Sequence, residues 1–251
     1  MSEWIYGRRT VAEHLAAAPA TCRRIWVAEG ARLPPELLRA AQAAGAPVET
    51  VARVRLDEVS TGGNHQGVAA EVGGWRYAAF EELVERARSP GRTPLIVALD
   101  CVQDPRNLGA VLRVADGVGA AGVVIPKDRA AGLSAAVART AAGAVASVPV
   151  ARVVNLARSL DRLREEGFWV LGTAATAPSE LHRVPVAFPC VVVLGGEEKG
   201  VRPNVAKRFD RAVAIPMRGA VASLNVAVAC GVVCYEVLRQ HRLGSDGAFS
   251  P

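Results

Sequence analysis

From Leu95 to Arg242 short apolar runs alternate with longer amphipathic ones, and this alternation limits the possible folds more than any other feature of the chain. Runs at 95–100, 122–126, 148–153, 168–173, 190–194 and 211–215 are continuous rather than alternating, the pattern of strands buried on both faces. Helical periodicity fills intervals at 107–118, 133–146 and 155–166 and closes the chain at 223–242, where Val226, Cys230, Val233 and Val237 recur at three- and four-residue spacing with Cys234 and Leu238 alongside. Strand and helix in alternation predict an α/β domain with a mainly parallel sheet and helices on both faces. Ligands of such sheets bind beyond the carboxyl ends of the strands, so three polar loops, after 95–100, 190–194 and 211–215, are candidates to converge on one site.

The first loop, Asp104-Pro-Arg-Asn-Leu-Gly, runs into a helix in which Asn107 is an expected N-cap and Arg113 lies off the apolar stripe of Leu108, Val111, Leu112 and Ala115. Six residues apart, Asn107 and Arg113 stand about 240° apart around the axis and share no face. The second, Gly195-Gly-Glu-Glu-Lys-Gly200, has paired glycines that let backbone pass close to a bulky ligand, followed by a trio of charges. The third leaves Ile215-Pro-Met for Ser223-Leu-Asn225 at a helix start. A serine there caps the first orphan N–H groups, which leaves Asn225 without a capping role and marks it for chemistry.

Residues 1–75 form a separate α/β pattern: a loop and a helix capped near Thr10, strands at 24–28, 48–52 and 68–72, and a helix at 35–43. Its Gly62–Gly67 loop carries His65, read as structural because no partner carboxylate is close in sequence. Residues 76–94 contain one charged helix and a Pro/Gly cluster and read as a linker; residues 244–251 read as a frayed tail. The chain carries a net charge of +6, which favours a polyanionic partner. Residues 1–75 hold eight basic and eight acidic side chains, so the excess, 22 against 16, lies in 76–251.

Five cysteines without a C-x-x-C pair suit a reduced, cytoplasmic setting with no zinc site. Cys101, Cys190, Cys230 and Cys234 read as core fillers. The sequence shows no export signal and no membrane span. Gly117-Val-Gly-Ala-Ala-Gly122 matches a dinucleotide fingerprint by letter, but it ends a helix and enters a strand, the reverse of the required context. That argues against a nucleotide-dependent oxidoreductase. A non-catalytic, ribosome-associated RNA-binding protein would leave the polar residues of the three loops unexplained.

The motifs N-L-G-A-V-L-R, L-G-G-E-E-K-G and I-P-M-x-(5)-S-L-N-V-A-V-A, in this order, resemble those of the SpoU/TrmH family of SPOUT-class RNA 2′-O-ribose methyltransferases. The resemblance implies an α/β-knot (trefoil) catalytic domain over 95–243 that binds S-adenosyl-L-methionine. It implies Asn107, Arg113, Glu197, Ser223 and Asn225 as catalytic positions, and Gly195, Gly196, Ile215, Leu224 and Asn225 as cofactor contacts; Glu198 falls on a variable position. It also implies a small substrate-binding domain over 1–75, similar to a ribosomal-protein fold, with Arg8, Arg9, Arg23 and Arg24 as its RNA contacts. A homodimer paired through helix 223–242 is expected, with no metal. Within the family the domain order is closest to enzymes acting on a guanosine of large-subunit ribosomal RNA; tRNA methylation and antibiotic-resistance methylation of rRNA use close variants.

Overall fold

A computed structural model describes residues 2–197 and 199–244. The chain forms two compact units, one of residues 1–76 with 132–146 and one of residues 77–131 with 147–251.

The first unit is a mixed four-stranded sheet, built from β1 (Ser2–Tyr6), α1 (Arg8–Ala17), β2 (Cys22–Ala28), α2 (Pro35–Ala43), β3 (Val48–Val51), α3 (Arg53–Ser60) and β4 (Val68–Gly73). Strand order is β1-β4-β2-β3, with β4 antiparallel to β1 and β2 and only β2–β3 parallel. The amino terminus, expected as a loop, is thus an edge strand. α1 starts after Gly7 at φ 92, not at Thr10, and no side chain caps it. α3 was not expected, since Arg-Val-Arg-Leu-Asp-Glu-Val-Ser buries only Leu56 and Ser60. His65 is buried and does have a carboxylate partner: its Nε2 lies 3.0 Å from Asp57 on α3, and its Nδ1 accepts the Gly67 amide at 3.0 Å. That acceptor role places the proton on Nε2, so the ring ties α3 to the start of β4, a structural role.

The second unit comprises α4 (Phe80–Arg88), β5 (Leu95–Asp100), α5 (Pro105–Gly117), β6 (Gly122–Pro126), then, beyond α6 (Ala135–Ala141) and α7 (Ala144–Ser147), β7 (Val150–Val153), α8 (Leu156–Glu165), β8 (Trp169–Thr173), β9 (Ser179–Glu180), β10 (Cys190–Gly195), α9 (Pro203–Ala206), β11 (Arg211–Ala214) and α10 (Val226–Gly244). Every pairing in its seven-stranded sheet, β7-β6-β5-β10-β8-β11-β9, is parallel. All six residues of β5 and all five of β6 are buried, which is why these strands read as unbroken apolar runs. Both β10 and β11 enter between strands made earlier in the chain.

Residues 76–94 are more than a linker: Phe80, Leu83, Val84 and Ala87 of α4 pack into the same core as Ile96, Val124, Leu160 and Val191. The helix expected over 133–146 is two, broken where Ala142 and Gly143 take φ 48 and 98. α6 belongs to the first unit, where Ala135 joins the core of Ile25 and Val68 and its amide donates to Glu3 at 3.1 Å. Of the expected tail, Gly244 ends α10, and residues 245–251 lie outside the described residues, as does Glu198.

Candidate active site

β5 ends on Asp100, which is fully buried and must have its charge met. The guanidinium of Arg202 meets it from the loop after β10, with Nη2 2.6 Å and Nε 2.9 Å from Oδ1, while the Arg202 amide donates to Oδ2 at 2.8 Å. These bonds hold the Arg202 pKa above its ordinary value, against a smaller opposing effect of burial. The Gly196 amide donates to the Asp100 carbonyl at 2.8 Å. The β5 and β10 loops are therefore joined by a buried ion pair and a backbone bond.

The glycines serve this junction first. A Cβ on Gly196 would overlap the Cys101 carbonyl, and one on Gly195 would overlap the Gly200–Val201 peptide, so the close approach is of backbone to backbone. Cys101 itself takes φ 61 and is half-buried, unlike Cys190, Cys230 and Cys234, which are core residues as expected. Its thiol pKa is raised, by burial first and then by the Asp100 charge.

α5 is capped by Asp104, whose carboxylate accepts the Arg106 amide at 2.8 Å, with Pro105 in the first turn. Asn107 is consequently not the N-cap. It sits one turn in, buried, with its amide free to point across the junction. Its Nδ2 donates to Glu197 Oε1 at 2.6 Å. Asn225 completes a triangle, donating from Nδ2 to Glu197 Oε1 at 2.9 Å and to Asn107 Oδ1 at 3.0 Å. A carboxylate only accepts, so both amides must present NH₂ to Glu197, which settles their orientation.

Asn225 also caps α10. Its Oδ1 accepts the Ala227 and Val228 amides at 2.9 and 3.4 Å, and its carbonyl accepts the Ala229 amide. The expected assignment is reversed: Ser223 is exposed in the preceding loop and Asn225 is the cap. One side chain ends the helix with its oxygen and builds the site with its nitrogen.

Two cavities flank the junction. One, of about 290 Å³, is lined by Thr173, Leu194, Gly195, Gly196, Glu197, Val213, Ile215, Met217, Ser223 and Leu224 among others. It unites the expected contacts Gly195, Gly196, Ile215 and Leu224 with Ser223. Thr173, at the end of β8, was missed, although the strand-end rule that picked out the other loops applies to it equally. The other cavity, of about 540 Å³, is lined by Cys101, Gln103, Asp104, Asn107, Arg129, Glu197, Lys199 and Arg202 among others. Glu197, Gly196, Gly200 and Val226 border both. Arg113 lines neither: it is exposed, about 9 Å along α5 from Asn107.

The apolar stripe of α10 turns inward. Val226, Cys230, Val233, Cys234 and Val237 are buried within the chain, so the side expected in a dimer interface is core, while Val228, Val232 and Tyr235 on the other side are 53, 40 and 54% exposed. In the first unit, Arg9 pairs with Glu13 at 2.7 Å, and Arg23 and Arg24 lie 4.0 and 2.6 Å from Glu71. Arg8 donates to the Arg32 carbonyl at 3.2 Å. Arg24 and Arg55 lie over the Trp26 ring, at 5.4 and 4.5 Å.

Residues 94–235 match the model of the SpoU rRNA Methylase family, and residues 4–78 match that of RNA 2'-O ribose methyltransferase substrate binding. The 23S rRNA (guanosine-2'-O-)-methyltransferase RlmB of Pseudomonas aeruginosa is 42% identical, over 96% of this chain and 98% of its own. The protein of that name in Escherichia coli is 40% identical over 96 and 99%. Among solved structures, the SpoU methyltransferase AviRb of Streptomyces viridochromogenes, crystallised with AdoMet, superposes with a TM-score of 0.76 over 98% of this chain and 92% of that one; at 23% identity the likeness is one of fold.

Proposed function

Because the chain belongs to the SpoU rRNA methylase family, we propose that its S-adenosylmethionine-dependent methylation of a ribose 2′-hydroxyl is directed at a guanosine of large-subunit ribosomal RNA. The observation that carries this reading is the Asn107–Glu197–Asn225 triangle, whose carboxylate stands on the rim common to both cavities. The apolar cavity suits the cofactor: Leu194, Val213, Ile215, Met217 and Leu224 give an adenosine slot, and the glycine-rich loop offers main-chain polar groups at its edge.

Bound there, the cofactor supplies an electrophilic methyl group on a sulfonium sulfur. This chain's residues orient the partners and exclude water, from which most of the acceleration of such a transfer derives. The methyl group would pass from the sulfonium sulfur to the ribose 2′-oxygen, leaving a neutral thioether, while the 2′-hydroxyl proton would pass to water. Glu197, fixed by two amides through Oε1, holds the rim in one geometry. Arg113, always cationic, stabilises the forming alkoxide in the assembled enzyme. Its position away from the triangle within one chain fits a homodimer whose interface uses the exposed Val228, Val232 and Tyr235 face of α10. The first unit recruits RNA, with Arg8, Arg9, Arg23 and Arg24 as phosphate contacts. A trefoil knot is consistent with β10 and β11 entering the middle of the sheet, and a ribosomal substrate with a cytoplasmic enzyme.

The test is digestion of unmodified large-subunit and transfer RNA transcripts after incubation with protein and S-adenosylmethionine, read by mass spectrometry. We expect 2′-O-methylguanosine in the large-subunit digest alone. A methyl on a base sinks the reaction class, and methylation of tRNA instead sinks the substrate.

A further inference from the structure

We propose that the 540 Å³ cavity receives the target nucleotide and that Arg129 and Lys199 grip the phosphates on either side of its ribose. The proposal rests on the methyl-transfer reading above for its chemistry, and it is argued from two exposed cations of this cavity that form no ion pair among the described residues. Among the described residues, five charged side chains line it: Asp104, Glu197, Arg129, Lys199 and Arg202. Three are engaged. Arg202 is bound to buried Asp100, Asp104 caps α5 and Glu197 takes two amide donors. Arg129 and Lys199 are exposed and carry no acidic partner among the described residues. Two exposed cations without an ion pair, at a polar cavity, fit a phosphodiester, whereas the apolar neighbouring cavity does not.

The backbone gives Arg129 a fixed place. It adopts φ 58, a left-handed conformation that is unfavourable for a non-glycine residue and persists only when its surroundings enforce it. The surroundings do: the Lys127 amide donates to the Val153 carbonyl at 2.7 Å, Arg152 donates to the Lys127 carbonyl at 2.8 Å, and the Ala131 amide donates to the Val102 carbonyl at 2.8 Å. The turn between β6 and α6 is thus pinned to β7 on one side and to the β5 loop on the other. Lys199 comes from a different loop, closed on itself by the Gly200 amide donating to the Gly196 carbonyl at 2.9 Å. Two cations on separately anchored loops, with Asn107 and Glu197 in the same lining, suit a nucleotide held by both of its phosphates and presenting its 2′-oxygen toward the shared rim. Phosphate contacts of this kind position the substrate and carry no base information.

The experiment uses the full-length protein, an unmodified transcript of a large-subunit ribosomal RNA domain and S-adenosylhomocysteine. RNA affinity is measured by fluorescence anisotropy between about 50 and 200 mM salt, cofactor-product affinity by calorimetry, and turnover separately. Arg129→Gln and Lys199→Gln should each weaken RNA binding roughly tenfold and lower the salt slope by about one, with S-adenosylhomocysteine affinity unchanged. Arg129→Lys should keep the slope. Wild-type RNA affinity and slope in both glutamine variants would overturn the proposal, and so would a parallel loss of S-adenosylhomocysteine binding, which would mean that the variants act through the loop. If the wild-type protein transfers no methyl group but the variants still lose slope and affinity, the methyl-transfer reading fails and the cavity stands as an RNA phosphate site.

Discussion

Asn225→Ser separates the two roles of one side chain. Serine caps helices about as well as asparagine, so the Ala227 and Val228 amides keep an acceptor and the cap's share of stability should change by only a few tenths of a kcal/mol. What disappears is the Nδ2 donor that reaches Glu197 at 2.9 Å and Asn107 at 3.0 Å. A hydrogen bond to a charged group contributes about 1.5–3 kcal/mol. Glu197 is exposed, so water replaces part of this, and about 1–2 kcal/mol of ordering is lost. The corresponding fall in kcat/KM is roughly 5- to 30-fold, at tenfold per 1.36 kcal/mol. Asn225→Ala should match that fall and also lose the cap, about 1 kcal/mol, which lowers Tm by about 2–4 °C in a chain of this size. Thermal melts beside methyl-transfer kinetics on the RNA transcript give both readings. Equal melting of the two variants would show that the side chain does not cap α10, and wild-type kcat/KM in Asn225→Ser would show that the triangle does not order the site.

Gly196→Ala should abolish S-adenosylhomocysteine binding and lower Tm, because the new methyl overlaps the Cys101 carbonyl and breaks the amide bond to Asp100; retained binding by calorimetry would remove the loop from the site. Val232→Glu, on the exposed face of α10, should give folded monomers by sedimentation whose Tm no longer depends on protein concentration, and a wild-type chain that is already monomeric would refute the dimer. Burial, with the Arg139 charge adding, lowers the His14 pKa from 6.5 to about 4. The unfolded chain therefore binds the extra proton between those values, so this contribution to stability is complete above pH 6.5 and is lost as pH falls toward 4. Melts from pH 7.5 to 5 should show that slope, flattened in His14→Gln; the same slope in both proteins would place its origin elsewhere.

The buried parallel strands were legible because burial on both faces demands an unbroken apolar run: 95–100 and 122–126 match their strands residue for residue. The polar loops after 95–100, 190–194 and 211–215 were legible for the same reason. β1 and α3 were not, since an edge strand and a half-exposed helix constrain their side chains on one side only. Asn107 and Asn225 could be singled out as short polar residues beside apolar stripes, but not assigned, because the choice of cap depends on where the chain turns. Two neighbouring residues, Ser223 and Asn225, were equally able to accept the orphan amides. Asp100 paired with Arg202, and Arg129 over the second cavity, depend on β10 lying beside β5 although 90 residues separate them. No local pattern carries that placement.

Entry of β10 and β11 into the middle of the sheet sets an order on synthesis. When the first 185 residues have left the ribosome, β5 and β8 each present an edge of unpaired backbone, and the strand that joins them does not yet exist. Open parallel edges are templates for foreign strands, and distant pairings form slowly. The emerging enzyme thus passes through an interval in which its half-built sheet is open to mispairing and unable to act, and a prematurely terminated chain is inert toward RNA methylation however well its earlier part folds. Glu197, Asn225 and most of the cofactor slot arrive with the last quarter of the chain, so activity appears only once translation is nearly complete.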